Sequence, residues 1–399
     1  MVLAPFPPRL SGTHGGSRAI AQLHLRLAAL HPLALIYLRR PDEPPADEAL
    51  RRRCALVQEV VITGSAEARL QRRARELHAE VALLRGVPLW VSYTRSARYA
   101  KAIRDKVAEW QPDVVQIEYH VMGQYLEALG TSRARTVLRQ LEPGAATAQG
   151  RNSQRRGAGR VVSALDCSAW RRYERDLMRR VDAVVALTPQ DLAAMRELAP
   201  TAALVRIPLG VDLPDRPADP VGASPPQLLF VGNFVHPPNV AAAERLADRV
   251  FPKVRAILPE TRLTIVGPNP PASLRNRDPE GITATGEVPD VRPFIDSAAV
   301  VVAPLDQGGG MRVKVGEALA AGKAVVASPR AVEGFGVTSG EQLLVAQSDD
   351  ELADACLTLL RDPTLRAELG ARARAWALQH LGWDEPVAAF ERLYASLTR

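Results

Sequence analysis

The sequence predicts an α/β protein made of two doubly wound parallel sheets, each with Rossmann-like strand–helix alternation. Three observations carry this. Short runs of Val, Ile, Leu and Ala recur along the chain, each followed by a glycine or polar loop and then a helical pattern. The runs are apolar at successive positions, as strands buried on both faces are. Leu213–Gln227 holds five prolines (Pro214, Pro217, Pro220, Pro225, Pro226) and divides the series in two. The expected organisation is a first domain over 1–212, a linker over 213–227, a second domain over 228–375, and a C-terminal helix within 376–399 that packs back on the first domain.

In chain order, Val2–Ala4 reads as a clipped strand before Pro5, and Arg18–Leu30 as a helix with Ile20, Leu23, Leu27 and Leu30 on one side. Gly15 and Gly16 precede it, with Ser17 as its N-cap. Leu33–Leu38 and Ala55–Ile62 read as strands. Ala66–Leu84 and Ala97–Glu109 read as helices rich in Arg and Lys. Pro112–Met122 is a strand with Glu118 and His120 at its carboxyl end, where ligands bind in open α/β sheets. Thr136–Leu141 is a strand that ends in Glu142, and Gly144–Gly159 a polar loop. A helix over Asp166–Arg180, a strand over Val181–Thr188, a helix over Pro189–Leu198 and a strand over Ala203–Ile207 close the first series. The second series has strands at Leu228–Val231, Leu263–Val266, Ile282–Thr285 and Val300–Ala303, with helices over Ala241–Ile257 and Val291–Ser297.

The chain of 399 residues is 47% hydrophobic, ample for two cores. Only 5% is aromatic, so those cores rest on aliphatic side chains. Cys54, Cys167 and Cys356 are far apart and odd in number, which argues against a disulfide framework or metal cluster and for a reducing cytosol. Met1 is followed closely by Pro5, Pro7 and Pro8, so no signal peptide is expected, and no apolar run has membrane-span length. The net charge of +7 is uneven: Met1–Asp215 has 32 basic and 22 acidic residues, Arg216–Arg399 has 19 and 22. The basic half suits an anionic partner. An anionic membrane surface at the inner face of the cell membrane is one candidate; solvated arginines are the alternative. No nucleic-acid-binding module accompanies the charge.

The most informative stretch is Val300–Ser328. Its strand gives way to Gly308, Gly309 and Gly310, then a short helix over Arg312–Ala321, a stop at Gly322, and a strand from Val325. Glycines admit a ligand close to the backbone, and amides at a helix start favour an anion. Arg312 and Lys314 add cations. Gly310, Lys314 and Glu317 share one helical face, which offers phosphate contacts and then a carboxylate able to hold a diol. Such a face suits a nucleoside diphosphate.

These residues resemble the retaining GT-B glycosyltransferases of the group 1, or family 4, type. The resemblance rests on Leu229-Phe-Val-Gly-Asn233, Leu263-Thr-Ile-Val-Gly267, Thr285-Gly-Glu-Val-Pro-Asp290 and Pro304–Val326, supported upstream by Gly15-Gly16, Pro112-Asp-Val-Val, Val181–Asp191 and Ile207-Pro-Leu-Gly-Val-Asp212. It implies a GT-B fold, two Rossmann-like domains facing across a cleft. It also implies transfer of a sugar from a nucleoside-diphosphate sugar to a glycan, lipid-linked or small-molecule acceptor with retention of configuration. By position, Gly15, Gly16 and Gly232 with Asn233 would approach the diphosphate. Glu287 and Val288 would lie near the base, and Gly267 would belong to the donor site. Gly308, Gly309, Gly310 and Met311 would face phosphate and sugar, and Glu317 would hold the ribose. Arg312 and Lys314 would stabilise the leaving diphosphate in place of a metal, so neither metal nor cofactor is expected. His120 is the candidate beside the reacting sugar; Glu118 and Glu142 are candidates on the acceptor side.

Two departures from the family pattern stand out. Gly309 occupies the first position of the usual Glu-x7-Glu motif, and Asn233 and Pro237 stand where a basic pair is usual. A nucleotide-sugar epimerase and a non-catalytic sugar-nucleotide-binding protein of polysaccharide assembly are the alternatives.

Overall fold

The computed structural model describes residues 1–10, 15–62, 79, 81–141, 144, 148, 158–275, 281–308 and 311–399. By its internal contacts the chain forms two compact units. One comprises Met1–Leu10, Gly16–Pro208 and Pro386–Arg399; the other comprises Leu209–Glu385, with Gly15 counted in it.

The first unit is built on a parallel sheet of seven strands: β1 (Val2–Ala4), β2 (Ala34–Arg39), β3 (Leu56–Val61), β4 (Val114–Glu118), β5 (Arg135–Arg139), β6 (Ala183–Ala186) and β7 (Leu204–Arg206). Their order is β3-β2-β1-β4-β5-β6-β7. The second unit has six parallel strands: β8 (Gln227–Val231), β9 (Arg262–Val266), β10 (Ile282–Ala284), β11 (Val300–Ala303), β12 (Val325–Ala327) and β13 (Leu344–Val345), in the order β10-β9-β8-β11-β12-β13. Both sheets therefore reverse their winding once, between β1 and β4 and between β8 and β11. The crevice beyond the carboxyl ends of such a pair is where doubly wound sheets take ligands. Strands β1, β6 and β11 are wholly buried, as their all-apolar composition requires.

Several local readings shift. The first helix spans Gly15–Leu27, and Leu30 lies beyond it, exposed. Ser17 sits inside that helix, where its hydroxyl donates to the Pro7 carbonyl (2.7 Å) and accepts from the Arg9 amide (3.0 Å), so it braces the preceding loop instead of capping. The fourth strand stops at Glu118, and His120–Leu129 winds as a 3-10 helix. Tyr119 makes that corner in a left-handed conformation (φ 67°), rare for a residue with a side chain. Most of the expected basic helix over Ala66–Leu84 and of the Gly144–Gly159 loop lies outside the described residues.

The proline-rich stretch is tied down along the second unit. Arg374 donates to the Pro214 carbonyl (2.8 Å), the Ala218 amide to the Ala321 carbonyl (2.7 Å), and Arg366 to the Val221 carbonyl (3.2 Å); Lys323 donates to the Asp219 carbonyl. Prolines bring few amides of their own, which leaves this stretch rich in carbonyls for cationic side chains to hold. At the far end, the helix Pro363–His380 belongs to the second unit, while Asp384–Thr398 enters the first from Pro386 onward. There the Phe390 ring lies 5.8 Å from the Arg139 guanidinium carbon, Tyr394 donates to Gln116, and His31 and Glu391 pair at 2.6 Å. None of the described helices is long and apolar enough to cross a membrane.

Candidate active site

In the second unit the strand order sets the carboxyl ends of β10, β9, β8 and β11 side by side, an edge about 14 Å long at ordinary strand spacing. Glycines follow three of these strands. The Gly232 amide donates to the Val266 carbonyl (2.9 Å), and the Gly267 amide to the Gly286 carbonyl (3.0 Å). Gly267 adopts φ +141°, and a Cβ there would fall 1.8 Å from the Gly232 carbonyl oxygen. Its missing side chain thus serves the close approach of two backbones. Glu287, next in sequence to Gly286, is exposed, and Val288 is half-buried.

The cations gather at the β8–β11 reversal. Helix Val313–Ala320 starts just past the loop that follows β11, with Arg312 at its N-cap position. Lys314 on its first turn reaches across to β8. Its ammonium donates to Asn239 Oδ1 (2.7 Å) and stands 4.5 Å from the centre of the Phe230 ring. Asn239 is oriented in turn by donating to the Asn233 carbonyl (2.8 Å). Arg312 is buried, with its Nη2 3.3 Å from where a Cβ of Gly308 would lie; Gly308 itself has φ +101°. Desolvation, with Arg312 as a lesser cause, lowers the Lys314 pKa from 10.5 to about 7, against an opposing pull from Glu317. A lysine held near neutrality beside a second cation is poised for an anion. Glu317 lies half-buried one turn further along the helix.

Of the expected donor contacts, Gly232, Asn233, Gly308, Arg312 and Lys314 meet here. Met311 is buried, and its sulfur accepts from the Leu209 amide at 3.3 Å. Gly309, Gly310 and Glu142 lie outside the described residues. Asn239 and Phe230, which hold Lys314, carry no local sequence signal for that role; the β8–β11 pairing brings them to it.

Gly15 and Gly16 open the helix after β1, and in the first unit Tyr119 and His120 follow β4 at the other reversal. His120 is fully buried among rings: 4.4 Å from Trp170, 5.5 Å from Trp90 and 6.4 Å from Tyr119 between centroids. Its Nδ1 is 3.8 Å from Glu174, a carboxylate that accepts from the Gly144 amide (2.7 Å) and from Gln140. Replacing His120 by alanine is expected to lower turnover at least tenfold; near-normal turnover in a steady-state assay removes it from the catalytic set.

Glu118, the other candidate at this strand end, does not reach the surface. It is fully buried, 2.8 Å from His24, 3.4 Å from Arg139 and 2.6 Å from the Gln116 amide nitrogen. Burial pushes its pKa up, but Arg139 and the hydrogen bonds from His24 and Gln116 outweigh that, and the carboxylate is held ionised. Desolvation lowers the pKa of His24, which therefore acts as a neutral donor. The network fastens helix Gly15–Leu27 to β4 and β5. Among the described residues, no group of three His, Cys, Asp or Glu side chains could hold a metal ion.

Residues 225–362, which contain the cationic cluster, match the family model described as "Glycosyl transferases group 1". Solved structures resemble the chain over nearly its whole length, among them the following three. Sucrose-phosphate synthase from Thermosynechococcus elongatus is 18% identical, with all of this chain and 99% of that one covered and a TM-score of 0.74. HepE from Anabaena, in complex with UDP and glucose, is 12% identical with 99% of each chain covered (TM-score 0.66). WaaG, a glycosyltransferase involved in lipopolysaccharide biosynthesis, is 14% identical with both chains fully covered (TM-score 0.66). The fold is that of the two-domain GT-B glycosyltransferases. No curated protein matches the sequence.

Proposed function

We propose that this protein is a glycosyltransferase that moves a sugar from a nucleoside-diphosphate sugar to an acceptor, with retention of configuration. The observation that carries the proposal is the Arg312–Lys314 pair at the β8–β11 reversal, aimed by Asn239 and Phe230 within the segment that matches the group 1 family. The reading is supported by relatives described with UDP and glucose or in lipopolysaccharide assembly.

As the glycosidic bond breaks, negative charge grows on the leaving diphosphate. Cations already in place stabilise that charge without reorganising, the most effective form of electrostatic catalysis. Glu317 accepts the ribose hydroxyls, and the loop amides hold the phosphates. With two cations at the leaving group, the reaction runs without added divalent metal. The acceptor is a glycan, a lipid-linked glycan or a small hydroxyl compound.

A thermal-shift and donor-hydrolysis panel with UDP, GDP, ADP and dTDP and their sugars, in the presence of EDTA, tests this. One nucleoside diphosphate raises the melting temperature and its sugar is slowly released. A nucleoside diphosphate that raises the melting temperature while no sugar is released favours the non-catalytic sugar-nucleotide-binding reading, motivated by Gly309; no shift with any of them overturns both. Glu317→Ala is expected to weaken the chosen nucleoside diphosphate at least tenfold by calorimetry, and unchanged affinity would refute its ribose role.

A further inference from the structure

Arg245 lies far in sequence from the cationic cluster, yet it grips the loop that carries it. The side chain is buried and uses all three of its nitrogens. Nη1 donates to the Pro304 carbonyl (3.3 Å) and to Asp306 (2.5 Å), the first turn of the loop after β11. Nε donates to Asp349 (2.5 Å), and Nη2 to the Gln347 carbonyl (2.7 Å). A planar guanidinium offers donors in a fixed fork, so these bonds set the path of the loop relative to the segment before helix Asp349–Arg361.

A second observation marks the same place. Helix Pro237–Arg245 runs into a π-helical turn, Leu246–Val250, before resuming as Phe251–Ile257. Pro252 lacks the N–H that a regular helix would need there, which accounts for the widened turn. Such turns are frequent at functional sites. Arg245 is the last residue before it. Asn239, which holds Lys314, lies about 9 Å up the same helix. One helix therefore holds the loop and the first turn of helix Val313–Ala320 at two points.

We infer that Arg245 is a positioning residue that fixes the loop Pro304–Gly308, and through it the site of Arg312 and Lys314, for the diphosphate. The inference rests on the proposed donor site. Arg245→Lys keeps the charge but loses the fork, and Asp306→Ala removes the charged half of the grip on the loop while leaving the contact to the Pro304 carbonyl and the arm to Asp349. Both are expected to raise amide hydrogen exchange across Leu305–Gly308 at least tenfold. Both are also expected to lower kcat and nucleoside-diphosphate affinity about tenfold or more; Arg245→Lys, which loses every arm of the fork, also lowers the melting temperature, whereas Asp306→Ala, whose carboxylate is exposed, leaves it nearly unchanged. Asp349→Ala, which leaves the loop arm intact, is expected to lower the melting temperature while kcat stays near normal.

Unchanged exchange and turnover in both Arg245→Lys and Asp306→Ala would overturn the inference. So would turnover that merely tracks melting temperature across all three variants. Loop exchange is read without any nucleotide. A wild-type protein that binds no nucleoside diphosphate, while its variants still loosen the loop, would therefore refute the proposed donor site and uphold the loop-fixing role.

Discussion

Lys314→Ala is expected to lower turnover by about two to three orders of magnitude, the scale of losing one preorganised charge at a transition state. Its melting temperature is expected to stay close to that of the unaltered protein. Lys314 is half-buried and its charge is poorly solvated, so the fold gains little from it. Asn239, left without its ammonium partner, still donates to the Asn233 carbonyl. Kinetics and thermal melting on the same preparation decide the matter. A large drop in melting temperature with residual activity near normal would make the lysine structural.

The pH dependence follows from the same residue. In the unligated fold its pKa is near 7; in the unfolded chain it is the ordinary 10.5. Between those values the unfolded chain binds more protons, so this lysine makes stability rise with pH across that window. Diphosphate binding acts in the opposite sense. The anion favours the ammonium form, so affinity is highest below about pH 7 and falls as pH rises through it. Binding above neutrality takes up protons, measurable by calorimetry in buffers of different ionisation heat. Lys314→Ala should abolish most of that uptake.

The second large effect is on stability. Gly267→Ala would drive a methyl group into the Gly232 carbonyl and impose a strained φ, and we expect a cost of roughly 3–6 kcal/mol. Gly286→Ala is the matched control: its φ is also positive (+78°), but a Cβ there meets nothing within 4 Å. It should cost only about 1 kcal/mol. Equal melting temperatures for the two variants would show that the crowding at Gly267 is not what the geometry says.

These residues also show what a sequence can convey. Val300–Ala303 and Pro189–Leu198 are found at the expected positions, because a short β-branched apolar run and a Thr-Pro helix start are local signals. The two parallel sheets follow from repetition of those signals. The turn at Tyr119 does not: nothing in Glu-Tyr-His announces a left-handed tyrosine, so the strand was expected to run on to Met122. The surroundings of Glu118 are hidden in the sequence for a related reason. A carboxylate at a strand end suggests a ligand contact, and its partners, His24 and Arg139, are 94 and 21 residues away. The cations themselves were legible from the glycine loop. Asn239 and Arg245, which aim them, were not, because strand order decides which distant helix lies beside that loop.

The last helix has a consequence for how the chain is made. The second unit is nearly continuous in sequence, and its residues have all been synthesised once Glu385 is added. The first unit is largely made before it, yet lacks Pro386–Arg399 until that later stretch follows. Until then Arg139 has no Phe390 ring beside it and Gln116 no Tyr394 hydroxyl. A chain made only as far as Glu385 thus has every residue of the second unit and lacks part of the first. A purified chain truncated after Glu385 should show that order directly, with protease cutting first in the half that is synthesised first.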